Sequence, residues 1–176
     1  MPEHPAPLIL LLLLMLTLGG CARLPPDTIE PDPARRQPVA TELLVNSLQC
    51  GEDIREPGVY WVSDNEALNQ RYDWLNQSNP GNRLSPPAVD FATERVLVVA
   101  MGQRPTSGYL LNFPDQPPLS DGRRLDVTVA WQEPEPDTVQ AQVVVNPCLL
   151  LRLPTPAAER VRVLDREGRV RIGADG

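Results

Sequence analysis

The 176 residues leave room for one domain, and a formal net charge of −7 with no basic run excludes nucleic acid as a natural partner. All sixteen basic residues are Arg and the single His is His4, in the stretch expected to be removed, so the mature chain has neither Lys nor His. That excludes His- and Lys-dependent nucleophilic catalysis, Schiff-base chemistry, the P-loop lysine and His-containing metal sites. Paired carboxylates and calcium sites pass this filter without a recognisable spacing for either, so no enzyme, cofactor or metal is expected.

Residues Leu8 to Leu18 form an uninterrupted apolar stretch of eleven. A membrane-spanning helix needs about 20 such residues and a signal-peptide core only about 7–15. The stretch runs into Leu18-Gly19-Gly20-Cys21, which resembles the lipobox of bacterial lipoproteins. Small residues give the signal peptidase access to the backbone, and the Cys21 thiol accepts the lipid. Residues 1–20 are therefore expected to be a lipoprotein signal peptide, although Met1 to Pro7 carry Glu3 and no Arg or Lys. The expected location is the bacterial cell envelope, lipid-anchored at Cys21, facing the periplasm or the cell surface. Ala22 after the Cys favours the outer membrane.

Residues 21–40 comprise this Cys and a tether containing Pro25, Pro26, Pro31, Pro33 and Pro38. Partly polyproline, it spans up to roughly 60 Å at about 3.1 Å per residue. Residues 41–176 read as a single β-rich domain. Leu43-Leu44-Val45 opens it, and Val59-Tyr60-Trp61-Val62 follows the Pro57-Gly58 turn. Ser63-Asp64-Asn65-Glu66 has capping-box spacing, with Ser63 predicted to cap a helix whose apolar face is Ala67, Leu68, Tyr72 and Leu75. Asn79-Pro80-Gly81 ends that helix.

Everything after it reads as β. Arg95 to Met101 is a compact apolar run suited to a central strand, with Tyr109 to Phe113 within hairpin distance. Leu125, Val127, Val129 and Trp131 alternate with Asp126, Thr128 and Ala130, which puts one set inward and the other outward. Val139, Ala141, Val143 and Val145 alternate with Gln140 and Gln142 in the same way, and Leu149 to Leu153 is a further strand. A last hairpin joins Arg160–Leu164 to Arg169–Ile172 through Asp165-Arg166-Glu167-Gly168. It places Arg160, Arg162, Arg169 and Arg171 opposite Val161, Val163, Val170 and Ile172. The expected fold is mainly β (β-rich α+β), an antiparallel sandwich or partly open barrel with one short helix.

With Cys21 lipidated, Cys50 and Cys148 are left to form one disulfide in an exported protein. The most informative stretch is Gly102-Gln103-Arg104-Pro105-Thr106-Ser107-Gly108-Tyr109. Pro105 fixes φ at a turn, Gly108 supplies a positive φ, and Thr106 and Ser107 cap free backbone groups. Arg and Tyr at the shoulders of such a turn are residue types that anchor interfaces. On composition alone, an inward Tyr109 with a merely solvated Arg104 is the slightly better fit.

Gly102, Arg104, Pro105, Thr106, Gly108 and Tyr109 resemble the Gly-x-Arg-Pro-Thr-Gly-Gly-Tyr signature of the PrcB C-terminal domain family, with Ser107 where the family usually has Gly. Asp90-Phe91 and Val96-Leu97-Val98-Val99 lead into it as in the family, and Pro147-Cys148-Leu149-Leu150-Leu151-Arg152-Leu153-Pro154 is similar to its closing strand. The resemblance covers roughly residues 88–154. It implies a non-catalytic, protein-binding accessory role beside a secreted or surface protease, with Arg104, Pro105, Thr106, Ser107, Gly108 and Tyr109 as the partner-binding loop. Pro105-Thr106-Ser107-Gly108-Tyr109 also resembles a loop of chagasin-type cysteine peptidase inhibitors, although Arg104 replaces the Asn and no Arg-Pro-Trp partner loop is present. The alternatives are thus such an inhibitor, or an envelope-structural lipoprotein that uses the Arg face of the last hairpin.

Overall fold

The computed structural model describes residues 36–78, 80–156 and 158–175. His4, the apolar stretch 8–18, Cys21 and most of the tether lie outside them. Among the described residues no helix is long and apolar enough to cross a membrane.

The centre of the fold is made by the two most apolar runs. Strands β4 (Glu94–Ala100) and β9 (Cys148–Pro154) pair antiparallel from Glu94↔Pro154 to Ala100↔Cys148. β2 (Glu42–Ser47) flanks β9 and β3 (Gly58–Val62) flanks β4, giving the order β2-β9-β4-β3. Because this sheet is covered on both faces, Val96 to Ala100 of β4 and Cys148 to Leu151 of β9 are apolar at every step and do not alternate. Leu97, Val99, Met101, Leu149, Leu151 and Leu153 face a second sheet. Val96, Val98, Ala100, Cys148 and Leu150 face the helix.

The helix, α1 (Asn65–Ser78), buries Leu68, Tyr72 and Leu75 as their spacing requires. Its cap lies one residue later than expected. The Ala67 N–H donates to Asp64 Oδ1 at 2.8 Å, and the Ser63 hydroxyl donates to Asp64 Oδ2. A carboxylate is the stronger acceptor beside the positive end of a helix, so Asp64 displaces Ser63 from the role. Beneath the helix, a Cys50–Cys148 disulfide ties the loop after β2 to the start of β9, with Cα atoms 5.6 Å apart and both residues buried.

The second sheet has the order β1-β6-β7-β10-β11: β1 (Gln37–Pro38), β6 (Leu119–Ser120), β7 (Arg124–Thr128), β10 (Arg160–Leu164) and β11 (Val170–Asp175). Leu125, Val127, Val161, Val163 and Ile172 fill the space between the sheets. The result is a β-rich sandwich with one helix among the described residues, open rather than a closed barrel. β7 and β10 run parallel within it, an exception to the antiparallel expectation. A separate pair, β5 (Leu110–Asn112) and β8 (Ala130–Gln132), completes the strands, so the 109–113 segment pairs with β8 and not with β4.

Three further expectations are corrected. Residues 139–145 form no strand: Val139 is fully exposed and Val143 and Val144 are 54% and 56% exposed. β9 already has β2 and β4 on its two sides, so no sheet edge is left there for this segment. Asp126 does not face solvent. It is 4% exposed, because Arg162 grips it with two hydrogen bonds of 2.8 Å while Arg36 and Arg124 close over it at 3.1 and 3.3 Å. In the last hairpin a bulge after Val163 pairs Leu164 with Val170, which turns Val170 out to 53% exposure. Its arginines are partly neutralised, since Arg169 and Arg171 both bind the buried Asp165.

Residues 36–40 lie along the second sheet. Beyond the Arg36–Asp126 pair, the Val39 N–H donates to Pro118 O and the Val39 side chain packs against the core.

Candidate functional site

β4 ends at a point where the chain must pass directly over another backbone. Gly102 has φ +74°, and a Cβ there would sit 2.5 Å from the Glu56 carbonyl carbon and 2.6 Å from Arg55 O. Only glycine fits both the conformation and the gap. The Gln103 N–H then donates to Arg55 O at 2.8 Å. Arg104 forms a two-way backbone bridge with Val145, donating at 2.7 Å and accepting at 3.0 Å. Further along, the Ser107 N–H donates to Ala141 O and its hydroxyl accepts from the Ala141 N–H at 3.1 Å. Gly108, at φ +93°, passes against Gln140 and Pro134.

Backbone bonds thus brace the loop at three places, which leaves side chains free for other work. Pro105 is exposed, Thr106 and Ser107 are half-buried, and the Tyr109 ring packs partly against the core between the sheets. The Arg104 guanidinium lies over that ring, 5.4 Å from its centroid. The sequence left open an inward Tyr109 with a solvated Arg104. In the structure Tyr109 does turn inward, but Arg104 stacks on it and its Nε is shut off from solvent without an acceptor.

Arg104 to Tyr109 therefore form one compact feature. Asn146 supports it, and sequence reasoning did not single this residue out. Its buried amide donates to Gly51 O and Ile54 O, both at 2.7 Å, and its N–H donates to Leu48 O. This holds the 51–55 loop in the place where Gly102 and Gln103 meet it. The available signal was positional: an Asn-Pro step directly before a disulfide cysteine. Arg160, Arg162, Arg169 and Arg171 lie on the last hairpin and are not brought into this loop. Among the described residues no three His, Cys, Asp or Glu side chains stand together in a metal-holding arrangement.

No curated protein and no solved structure matches the chain. Residues 95–154, which run from the second residue of β4 through the Arg104–Tyr109 loop to the end of β9, match the family model described as PrcB C-terminal.

Proposed function

We propose that this chain is a lipid-anchored accessory subunit of the bacterial envelope that binds a secreted or surface protease through Arg104 to Tyr109 and cleaves nothing itself. The observation that carries this reading is the PrcB C-terminal match, because the matched residues contain both the loop and the two central strands that hold it. The form of the loop agrees with a binding role: a turn with an Arg–Tyr stack at its shoulder, braced by backbone bonds that do not need the Arg104 side chain. An anchor at Cys21 with a tether behind it keeps such a domain at the membrane while it engages a partner.

The test is capture of partners by the full-length protein from its own host in mild detergent, with wild type compared to Arg104→Ala and proteins identified by mass spectrometry. A protease retained by wild type and lost from the variant supports the reading. Identical partners with both proteins, or none with either, overturn it. Peptidase activity of the captured complex then separates support from inhibition, since a chagasin-like inhibitor would hold a silent enzyme. Radiolabelled palmitate incorporation that disappears in Cys21→Ala checks the anchor.

A further inference from the structure

Seven arginines among the described residues are half-buried, and six of them hold a carboxylate. Arg36, Arg124 and Arg162 share Asp126; Arg71 holds Asp53, Arg152 holds Glu42 and Arg171 holds Asp165. Arg104 is the seventh and has none. Among the described residues its side-chain partner is the face of Tyr109, and its Nε, like that of Arg36, has lost water without gaining an acceptor. Leaving a buried donor unsatisfied is unfavourable. Every other half-buried guanidinium among the described residues has a carboxylate, and this one has none.

We infer that Arg104 receives a carboxylate from the binding partner, and that this ion pair is the anchor of the interface. The inference rests on the binding role proposed above and names the chemistry of its central contact. The stacking geometry is suited to it. Tyr109 covers a face of the guanidinium and is itself held against the core, so the ring restrains the side chain before any ligand arrives. Carboxylates bind guanidinium in its own plane, by paired N–H···O bonds along the edge, which a ring over the face leaves available. The surroundings favour apolar flanks on the ligand. The segment that pairs with Arg104 through Val145 also carries Val139, Val143 and Val144, which are exposed by 100%, 54% and 56%. The same chemistry is offered by a Glu or Asp side chain and by a peptide C-terminus.

The test follows the arginine Nε–H signals of the 15N-labelled, full-length protein in zwitterionic micelles, with the Arg104 signal assigned by its loss in Arg104→Gln. Three probes are titrated: acetyl-Val-Glu-Val-amide, acetyl-Val-Gln-Val-amide and acetyl-Val-Val with a free carboxylate. A saturable shift of the Arg104 signal is expected with at least one carboxylate peptide, and none with the glutamine peptide. Which carboxylate peptide acts distinguishes side chain from terminus. Arg104→Lys keeps the charge but loses the fork, and should weaken binding about tenfold or more. An Arg104 signal that neither carboxylate peptide moves, or that the glutamine peptide moves equally, overturns the inference, as does undiminished peptide binding by a folded Arg104→Gln. If a protease is still captured and lost in Arg104→Ala while no carboxylate peptide binds, the binding role stands and only this inference falls.

Discussion

Asp126 offers a direct test of how the second sheet is held together. Replacing it with Asn keeps the shape and removes the charge that three guanidiniums share. Arg162 donates twice at 2.8 Å, Arg36 lies at 3.1 Å and Arg124 at 3.3 Å, around a carboxylate only 4% exposed. Removing one member of a buried ion pair costs about 3–5 kcal/mol when the other is left stranded. These arginines keep 17–32% exposure and regain some water, and the Asn oxygen still accepts a hydrogen bond, so a loss of about 2–3 kcal/mol is expected. With a urea dependence of about 1–3 kcal/mol per molar, the unfolding midpoint should fall by about 0.7–3 M. Urea titration followed by tryptophan fluorescence measures this. Asp126→Asn, Arg162→Gln and the double variant complete a cycle whose coupling should exceed about 1 kcal/mol. A loss below about 0.5 kcal/mol, or strictly additive losses, would refute the view that this carboxylate clamps β7, β10 and the entering chain together.

Three other outcomes are expected. The Cys50–Cys148 bridge closes a separation of 98 residues, so Cys50→Ala/Cys148→Ala should lose about 4–5 kcal/mol by guanidinium unfolding while keeping its far-ultraviolet spectrum. Gly102→Ala should cost about 3 kcal/mol, because it adds a backbone clash to the roughly 1–2 kcal/mol of a positive φ. Gly122→Ala has a similar φ with open space around it and should cost only the latter, so equal losses would discredit the close approach at Gly102. The Asp64 carboxyl is held below its ordinary value of 3.8 by the Ala67 N–H. Burial pushes the Asp165 carboxyl up, but hydrogen bonds from the Arg169 N–H and the Arg169 and Arg171 side chains pull it down further. Both groups stabilise the fold above their unfolded values and lose that effect as pH falls through the lower folded ones. Urea midpoints should stay level from pH 7 to about 5 and fall below about 4, less steeply in Asp64→Asn/Asp165→Asn.

What was legible in the sequence was whatever burial alone decides. Val96 to Met101 and Leu149 to Leu153 are apolar at every step but Arg152, which marks strands covered on both faces, and the structure puts them side by side. Leu68, Tyr72 and Leu75 gave the helix its face for the same reason. What failed depended on partners distant in the chain. Alternation at 139–145 is a genuine strand pattern, but pattern does not supply a neighbour, and β9 had none to give. Asp126 reads as outward because it alternates with Leu125 and Val127; Arg36 and Arg162, both distant in the chain, join Arg124 of its own strand to make its burial tolerable. Two-residue strands such as β1 and β6 carry no periodicity at all. In the site, the local turn was visible from its Pro and Gly, whereas the support from Asn146 and the 51–55 loop needed a fold to bring 92 to 95 residues of separation together.

The way the loop is braced decides which substitutions can report on binding. Its fixed points are backbone groups: Gln103 to Arg55, Arg104 to Val145, and Ser107 to Ala141. None of these needs the Arg104 side chain, so truncating it removes a guanidinium from the surface and leaves the loop where it was. Tyr109 is different. Its ring packs against the core that both sheets share, so Tyr109→Ala opens a void as well as removing the stack. Truncating a half-buried aromatic costs up to about 3 kcal/mol, enough to change the amount of folded protein. A partner lost from Tyr109→Ala therefore does not separate recognition from folding. The informative pair is Arg104→Ala with Tyr109→Phe: the first removes the proposed anchor with the fold intact, and the second keeps ring, packing and stack. If binding follows the guanidinium, the first should abolish capture and the second should leave it unchanged. Loss in both would show that the contact needs the Tyr109 hydroxyl as well as the guanidinium.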